Sequence, residues 1–95
     1  MKTYRDSDVQ KEILFGIFAA LRKGIKQVKS SELRHAVNKS LGREVHPNNF
    51  RPSCLKLEER GLLVRTKIDL DWHLNITPLG LDFVFDEMDK QEEKK

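Results

Sequence analysis

Cysteine is scarce in this chain: Cys54 stands alone among 95 residues. No internal disulfide framework can form. A four-thiolate zinc site is excluded as well, and three scattered histidines, His35, His46 and His73, do not supply a substitute. Long apolar runs are missing too. None approaches the roughly 20 residues that cross a bilayer. The opening Met1-Lys2-Thr3-Tyr4-Arg5-Asp6 lacks the apolar core of a secretion signal. A soluble cytoplasmic protein without membrane contact is expected.

Catalytic signatures are equally thin. There is no glycine-rich phosphate loop. The histidines fall on three different elements, and none has a carboxylate at a telling spacing. His35 reads as exposed helix surface. Cys54 lies on an apolar stripe and reads as inert packing rather than a reactive thiol. Glu58-Glu59 reads as solvated helix surface, not an acid/base pair. An enzyme is not expected, and neither is a cofactor or a metal.

Charge is what the chain has in abundance. Charged residues make up 35% and apolar residues 38%, so much of the chain lies near water. One domain over 1–95 is expected, with its core in 8–88 and a frayed polar end at 89–95. The net charge of +3 is unevenly spread. Residues 1–21 are neutral. Residues 22–67 carry twelve Lys/Arg against four Glu, a net of +8, and residues 68–95 carry three Lys against eight acids, a net of −5. A basic middle of this kind suits nucleic acid, although an unevenly charged solvated surface has the same composition.

Apolar spacing outlines the elements. Val9, Ile13, Leu14, Ile17, Phe18 and Leu21 recur at helical steps over residues 8–22, with Ser7 or Asp8 as cap. A shorter helix over 31–41 turns Leu33, Ala36, Val37 and Leu41 inward, is capped by Ser30 or Ser31, and stops at Gly42. A third helix is expected from Asn49 or Phe50, with Pro47 in the lead-in. That start keeps Pro52 in the first turn, where its missing amide costs no hydrogen bond. Phe50, Cys54 and Leu57 then face the core, and Arg60-Gly61 closes the helix. Residues 62–68 and 72–76 alternate apolar and polar side chains around Asp69-Leu70-Asp71, which reads as a β-hairpin. Thr77-Pro78 opens a last helix as cap and first helical residue. Its stripe is Leu81, Val84, Phe85 and Met88, with Gly80 tolerated in the first turn.

The order is helix, helix, helix, hairpin, helix. Two segments within it, Phe50-Arg51-Pro52-Ser53-Cys54-Leu55-Lys56-Leu57-Glu58-Glu59-Arg60-Gly61-Leu62-Leu63 and Leu74-Asn75-Ile76-Thr77-Pro78-Leu79-Gly80, resemble the winged helix-turn-helix family, notably small MarR-like and PadR-like bacterial and archaeal transcription regulators. The first looks like a recognition helix running into a wing strand, and the second like a wing strand entering the final helix. The likeness covers roughly residues 8–88. It implies an α+β, mostly helical fold. It also implies a third helix that enters the DNA major groove and a wing that touches phosphate or the minor groove.

Under that resemblance the expected double-stranded DNA contacts are Ser31, Arg34, Lys39, Arg43, His46, Asn48, Asn49, Arg51, Ser53, Lys56, Arg65 and Lys67. Arg51 suits a bidentate pair with guanine, and Asn49 suits either adenine or a plain helix cap. Ser31 and the neighbouring amides suit a phosphate. Lys39 and Lys56 also read as ordinary surface lysines. Leu55 fits a thymine methyl or a protein partner equally well. Asp69-Leu70-Asp71 departs from the family, whose wing tips normally carry Arg or Lys. Phe15, Leu79, Phe83 and Phe85 exceed what one apolar face needs, which suits a homodimer through the terminal helices or packing within one chain. The rival function is a winged-helix module for protein–protein interaction, an adaptor or inhibitor of a nucleic-acid machine that binds through Leu55 or the terminal helices. Double-stranded RNA bound by shape is a third reading.

Overall fold

The computed structural model describes residues 6–93. Helix α1 runs Asp6–Arg22, strand β1 Val28–Lys29, α2 Ser30–Leu41, α3 Pro47–Glu59, β2 Leu63–Ile68, β3 Asp71–Ile76 and α4 Pro78–Glu93. The first helix starts two residues before the expected position, and the side chain of Ser7 lies outside what is described. The last helix continues through Glu93, so the polar segment expected to fray from 89 is helical over most of its length; residues 94 and 95 lie outside the described residues.

The core forms where the helical stripes meet. Val9, Ile13, Leu14 and Ile17 of α1, Leu33 and Val37 of α2, and Phe50, Cys54 and Leu57 of α3 are all buried. Leu62, Leu63, Leu74 and Val84 close it from the wing and α4. Each large side chain buried this way is worth about 2 kcal/mol in transfer free energy. Two expectations fail here. Ala36 is exposed, because Leu33 and Val37 already fill the narrow inner face of α2. In α4 only Val84 of the expected stripe is buried, while Leu81 is half-buried and Phe85 and Met88 are exposed.

A short strand joins the hairpin. β1 pairs with β3 through Val28↔Leu74 and Lys29↔His73, giving an antiparallel sheet in the order β1-β3-β2. Two residues carry no readable period, so this strand escapes pattern analysis. The β2–β3 register runs from Leu63↔Ile76 to Ile68↔Asp71. Asp71 is therefore a strand residue, and Asp69-Leu70 alone make the turn. Asp69 takes a positive φ of 58°, which aspartate adopts more readily than most residues.

Helix boundaries in the middle of the chain also differ from expectation. Gly42 ends α2 in the left-handed conformation, as expected, with φ 70°. At the other end neither Ser30 nor Ser31 caps the helix. Lys29 occupies the cap position and its side chain makes no cap hydrogen bond. Helix α3 begins at Pro47 rather than Asn49 or Phe50. His46 caps it, its Nδ1 accepting from the Asn48 amide at 3.1 Å. Pro47 takes the first helical position, which needs no donor. Pro52 consequently falls inside the helix and leaves the Asn48 carbonyl without its usual partner. Both residues are exposed, so water can serve that oxygen.

The α2–α3 turn is pinned at Val45, which is buried. Its amide donates to Asn38 Oδ1 at 2.7 Å, and its carbonyl accepts from Arg34 Nη1 at 3.1 Å.

Candidate nucleic-acid interface

Two surfaces meet at one side of the molecule: the amino-terminal half of α3 and the face of the wing turned toward it. Asn48, Asn49 and Arg51 are exposed on α3. Between them and the wing lies a cleft of about 290 Å³ whose lining includes Lys29, Ser31, Arg34, Arg51 and Trp72. The start of α2, at Ser30 and Ser31, belongs to the same region. A smaller recess of about 60 Å³ beside it is lined by Arg51, Cys54, Arg65 and Trp72, among others.

The phase of β2 decides what faces that cleft. Residues paired across an antiparallel ladder share a face. Arg65 pairs with Leu74 and Lys67 with Trp72, so both cations point to the helix side. Val64, Thr66 and Ile68 point away and are exposed. Beyond buried Leu63, the apolar residues of β2, Val64 and Ile68, are thus on its solvent face, the reverse of β3, where buried Leu74 and half-buried Trp72 and Ile76 face the helices. The Arg65 guanidinium lies 4.4 Å from the centre of the Trp72 ring, and the Lys67 ammonium 5.8 Å from it. Cation–π attraction favours both placements.

Each expected contact residue can now be placed. Ser31 is exposed in the first turn of α2 and lines the larger cleft. His46 is exposed. Its Nδ1 is committed to the cap, which puts the proton on Nε2, where it can be donated outward. Lys39, Arg43, Lys56 and Lys67 are exposed. Arg34 is half-buried, held by the Val45 carbonyl and lying 3.9 Å from Glu44, so part of its donor capacity maintains the turn. Asn49 is not the helix cap; that role belongs to His46. Ser53 corrects an expectation. It is buried, three residues after Phe50 and four before Leu57 on the same helix face, and its hydroxyl donates to the Asn49 carbonyl at 3.0 Å.

Arg65 is more constrained than sequence suggests. Its Nε donates to Glu58 Oε1 at 3.0 Å and its backbone amide to Glu58 Oε2 at 3.1 Å. These two bonds hold the Glu58 carboxyl below the usual carboxylate range, the backbone bond contributing most. Burial pushes the Cys54 thiol up to about 12, so it stays protonated at neutral pH. Glu58 and Trp72 are the residues that sequence reasoning passed over. The (i, i+7) separation of Glu58 from Arg65 spans a helix end and a turn, and no periodic pattern reports it.

At the opposite end, Phe15 and Phe83 pack against the protein's own core. Arg60 lies over the Phe83 ring at 5.4 Å and also bonds Gln10 at 2.7 Å. Phe85 meets Phe18 edge-on, with ring centroids 5.5 Å apart, yet stays about half exposed, as does Leu79.

Three helices, a turn pinned between the second and third, and a hairpin feeding a final helix define a winged-helix protein. No family model and no curated protein matches the chain. Solved structures do. RosR of H. salinarum superposes with a TM-score of 0.77 at 22% identity, covering 90% of this chain and 74% of its own. A complex structure of the same RosR gives 0.75 at 22% identity, covering 93% and 77%. F93 from STIV, a winged-helix DNA-binding protein, gives 0.73 at 14% identity, covering 95% and 92%. At these identities the likeness is one of fold.

Proposed function

We propose that this protein binds double-stranded DNA sequence-specifically and acts as a small cytoplasmic transcriptional regulator, working as a homodimer. The observation that carries the reading is the placement of exposed Asn48, Asn49 and Arg51 on α3 beside a cleft lined by Lys29, Arg34 and Arg51, with Asp71 the one acid among the described residues of its lining. Arg51 reads a base edge, with Asn48 and Asn49 beside it. Ser31, Lys39, Arg43, His46, Lys56 and Lys67 serve phosphates, and Arg34 supports them from the turn. The likeness to F93, which is described as DNA-binding, supports the reading. Exposed Leu79 and Phe85 suit the contact between two subunits, and Phe15 and Phe83 back it from beneath.

The test is a titration of duplex DNA by fluorescence polarisation at about 50 and about 200 mM salt. Binding through several phosphates falls by orders of magnitude between the two. A flat response sinks the phosphate account. Arg51→Ala is expected to cost about 1–3 kcal/mol on a selected site and little on random duplex. An equal loss on both would make Arg51 a phosphate contact instead.

One observation favours a second reading, a protein partner. Leu55 is 38% exposed in the middle of α3, and Val64, Ile68 and Leu70 are exposed on the wing. Leu55→Asp separates the two: loss of a protein complex with DNA affinity intact would favour the partner.

A further inference from the structure

One acid beside the proposed DNA surface, Glu58, is tied to one of its arginines. Glu58 sits in the last turn of α3 and Arg65 at the base of β2. The carboxylate takes Nε–H of Arg65 on one oxygen and its backbone N–H on the other. The second bond shows that this amide points off the edge of the sheet, since β2 is an edge strand and its ladder partner lies on the other side. Glu58 thus satisfies the strand edge and fixes the side chain with one group. Trp72 closes the arrangement from below, its ring 4.4 Å from the guanidinium. Only 16% of the Arg65 side chain is exposed, yet Arg65 lines the same small recess as Arg51. The bond to Glu58 uses Nε–H and leaves the donors on Nη1 and Nη2 to a ligand.

We propose that Glu58 is a positioning residue: it holds Arg65 between α3 and the wing so that the Nη groups of Arg65, alongside Arg51, receive a DNA phosphate. The inference rests on the DNA reading above. It makes a prediction opposite in sign to simple electrostatics. Removing a negative charge near a phosphate-binding surface should strengthen binding. Removing this one weakens it, because Arg65 loses the strap that pre-orders it.

Glu59, the adjacent and exposed acid, is the internal control. Duplex DNA affinity is measured over a salt series for wild type, Glu58→Gln, Glu59→Gln, Arg65→Met and the Glu58→Gln/Arg65→Met double variant. Glu58→Gln is expected to lose about three- to tenfold in affinity. Its log–log salt slope falls by about 1, the mark of one lost phosphate contact. Glu59→Gln is expected to bind as well as wild type or slightly better. In the Arg65→Met background, Glu58→Gln has no further effect, which separates action through Arg65 from general loosening of the helix.

The single tryptophan of the chain gives a second readout without DNA. Loosening Arg65 uncovers the Trp72 ring, so Glu58→Gln raises its collisional quenching by acrylamide and Glu59→Gln does not. Wild-type binding with Glu58→Gln at or above wild-type affinity overturns the positioning role alone. Unchanged Trp72 quenching also overturns it. Absence of wild-type binding at low salt overturns the DNA reading, and the inference falls with it.

Discussion

The base and the tip of the wing are built on different terms. At the base, Leu63 and Leu74 are buried, Thr77 Oγ1 donates to the Gly61 carbonyl at 2.6 Å, and the Thr77 amide donates to the Leu62 carbonyl at 3.2 Å. Thr77 Oγ1 also accepts from the Gly80 amide, which caps α4. Four elements are locked together there, with Glu58–Arg65 on the α3 side. At the tip, Leu70 is 89% exposed, Asp69 holds a left-handed φ, and an ion pair at 3.4 Å between Lys29 and the half-exposed Asp71 is the main tie. Such pairs are worth little in water. The difference teaches that the aim of the wing is set at its base, and that its tip can change residues with small effect on the fold.

The largest test of that difference is Leu74→Ala. Leu74 lies on the central strand, paired with both Val28 and Arg65, and is 1% exposed. A loss of about 3–4 kcal/mol is expected from the cavity and the lost transfer energy. Denaturant unfolding checks it, and a loss below about 1 kcal/mol would mean that the base is not the anchor. Gly80→Ala comes next. A Cβ there would run into the Leu62 carbonyl oxygen and approach Ile76 Cγ1 to 2.7 Å. Because backbone must move, about 2–3 kcal/mol is expected, or roughly 10–20 °C in Tm for a domain of this size.

Cys54 tests whether the base is dry. The folded thiol titrates near 12, against an ordinary value of 9.0. Between those values the folded state holds a proton that the unfolded state has released. Stability conferred by this group is therefore present below pH 9 and lost as pH rises toward 12. Cys54→Ala should remove that component of the alkaline decline, seen as a shallower fall of stability with pH than in wild type. An identical fall in both would show that water reaches the thiol.

These same positions show what the sequence could carry. The helical stripes of α1 and α2, the Gly42 stop and the Thr77-Pro78 start were legible because each is a local device with its own residue chemistry. The start of α3 was not. Pro52 argued for a late start, yet Pro47 at the first position and His46 as cap outweigh one lost bond in the second turn. Ser53 was misplaced for another reason: lying three residues after Phe50 and four before Leu57, it shares their buried face. The hairpin was legible from period 2, but period does not give phase. Arg65 and Lys67 face α3 because Trp72 and Glu58 receive them, and those partners are set by register. Gly80 seemed merely tolerated because its neighbour, the Leu62 carbonyl, is brought in only by the tertiary fold.

The smallest expected effect sits at the tip, and it bears most directly on function. Leu70→Lys alters a side chain with almost no contacts, so stability should stay within about 0.5 kcal/mol of wild type. The wing tip now carries Asp69 and Asp71 and offers phosphate nothing. If the base aims the wing along DNA, a lysine at 70 adds one contact. Affinity then rises at low salt, and the log–log salt slope steepens by about 1. An unchanged slope would place the tip beyond reach of the duplex and leave the inner face of the wing, at Arg65 and Lys67, as the part that meets the backbone.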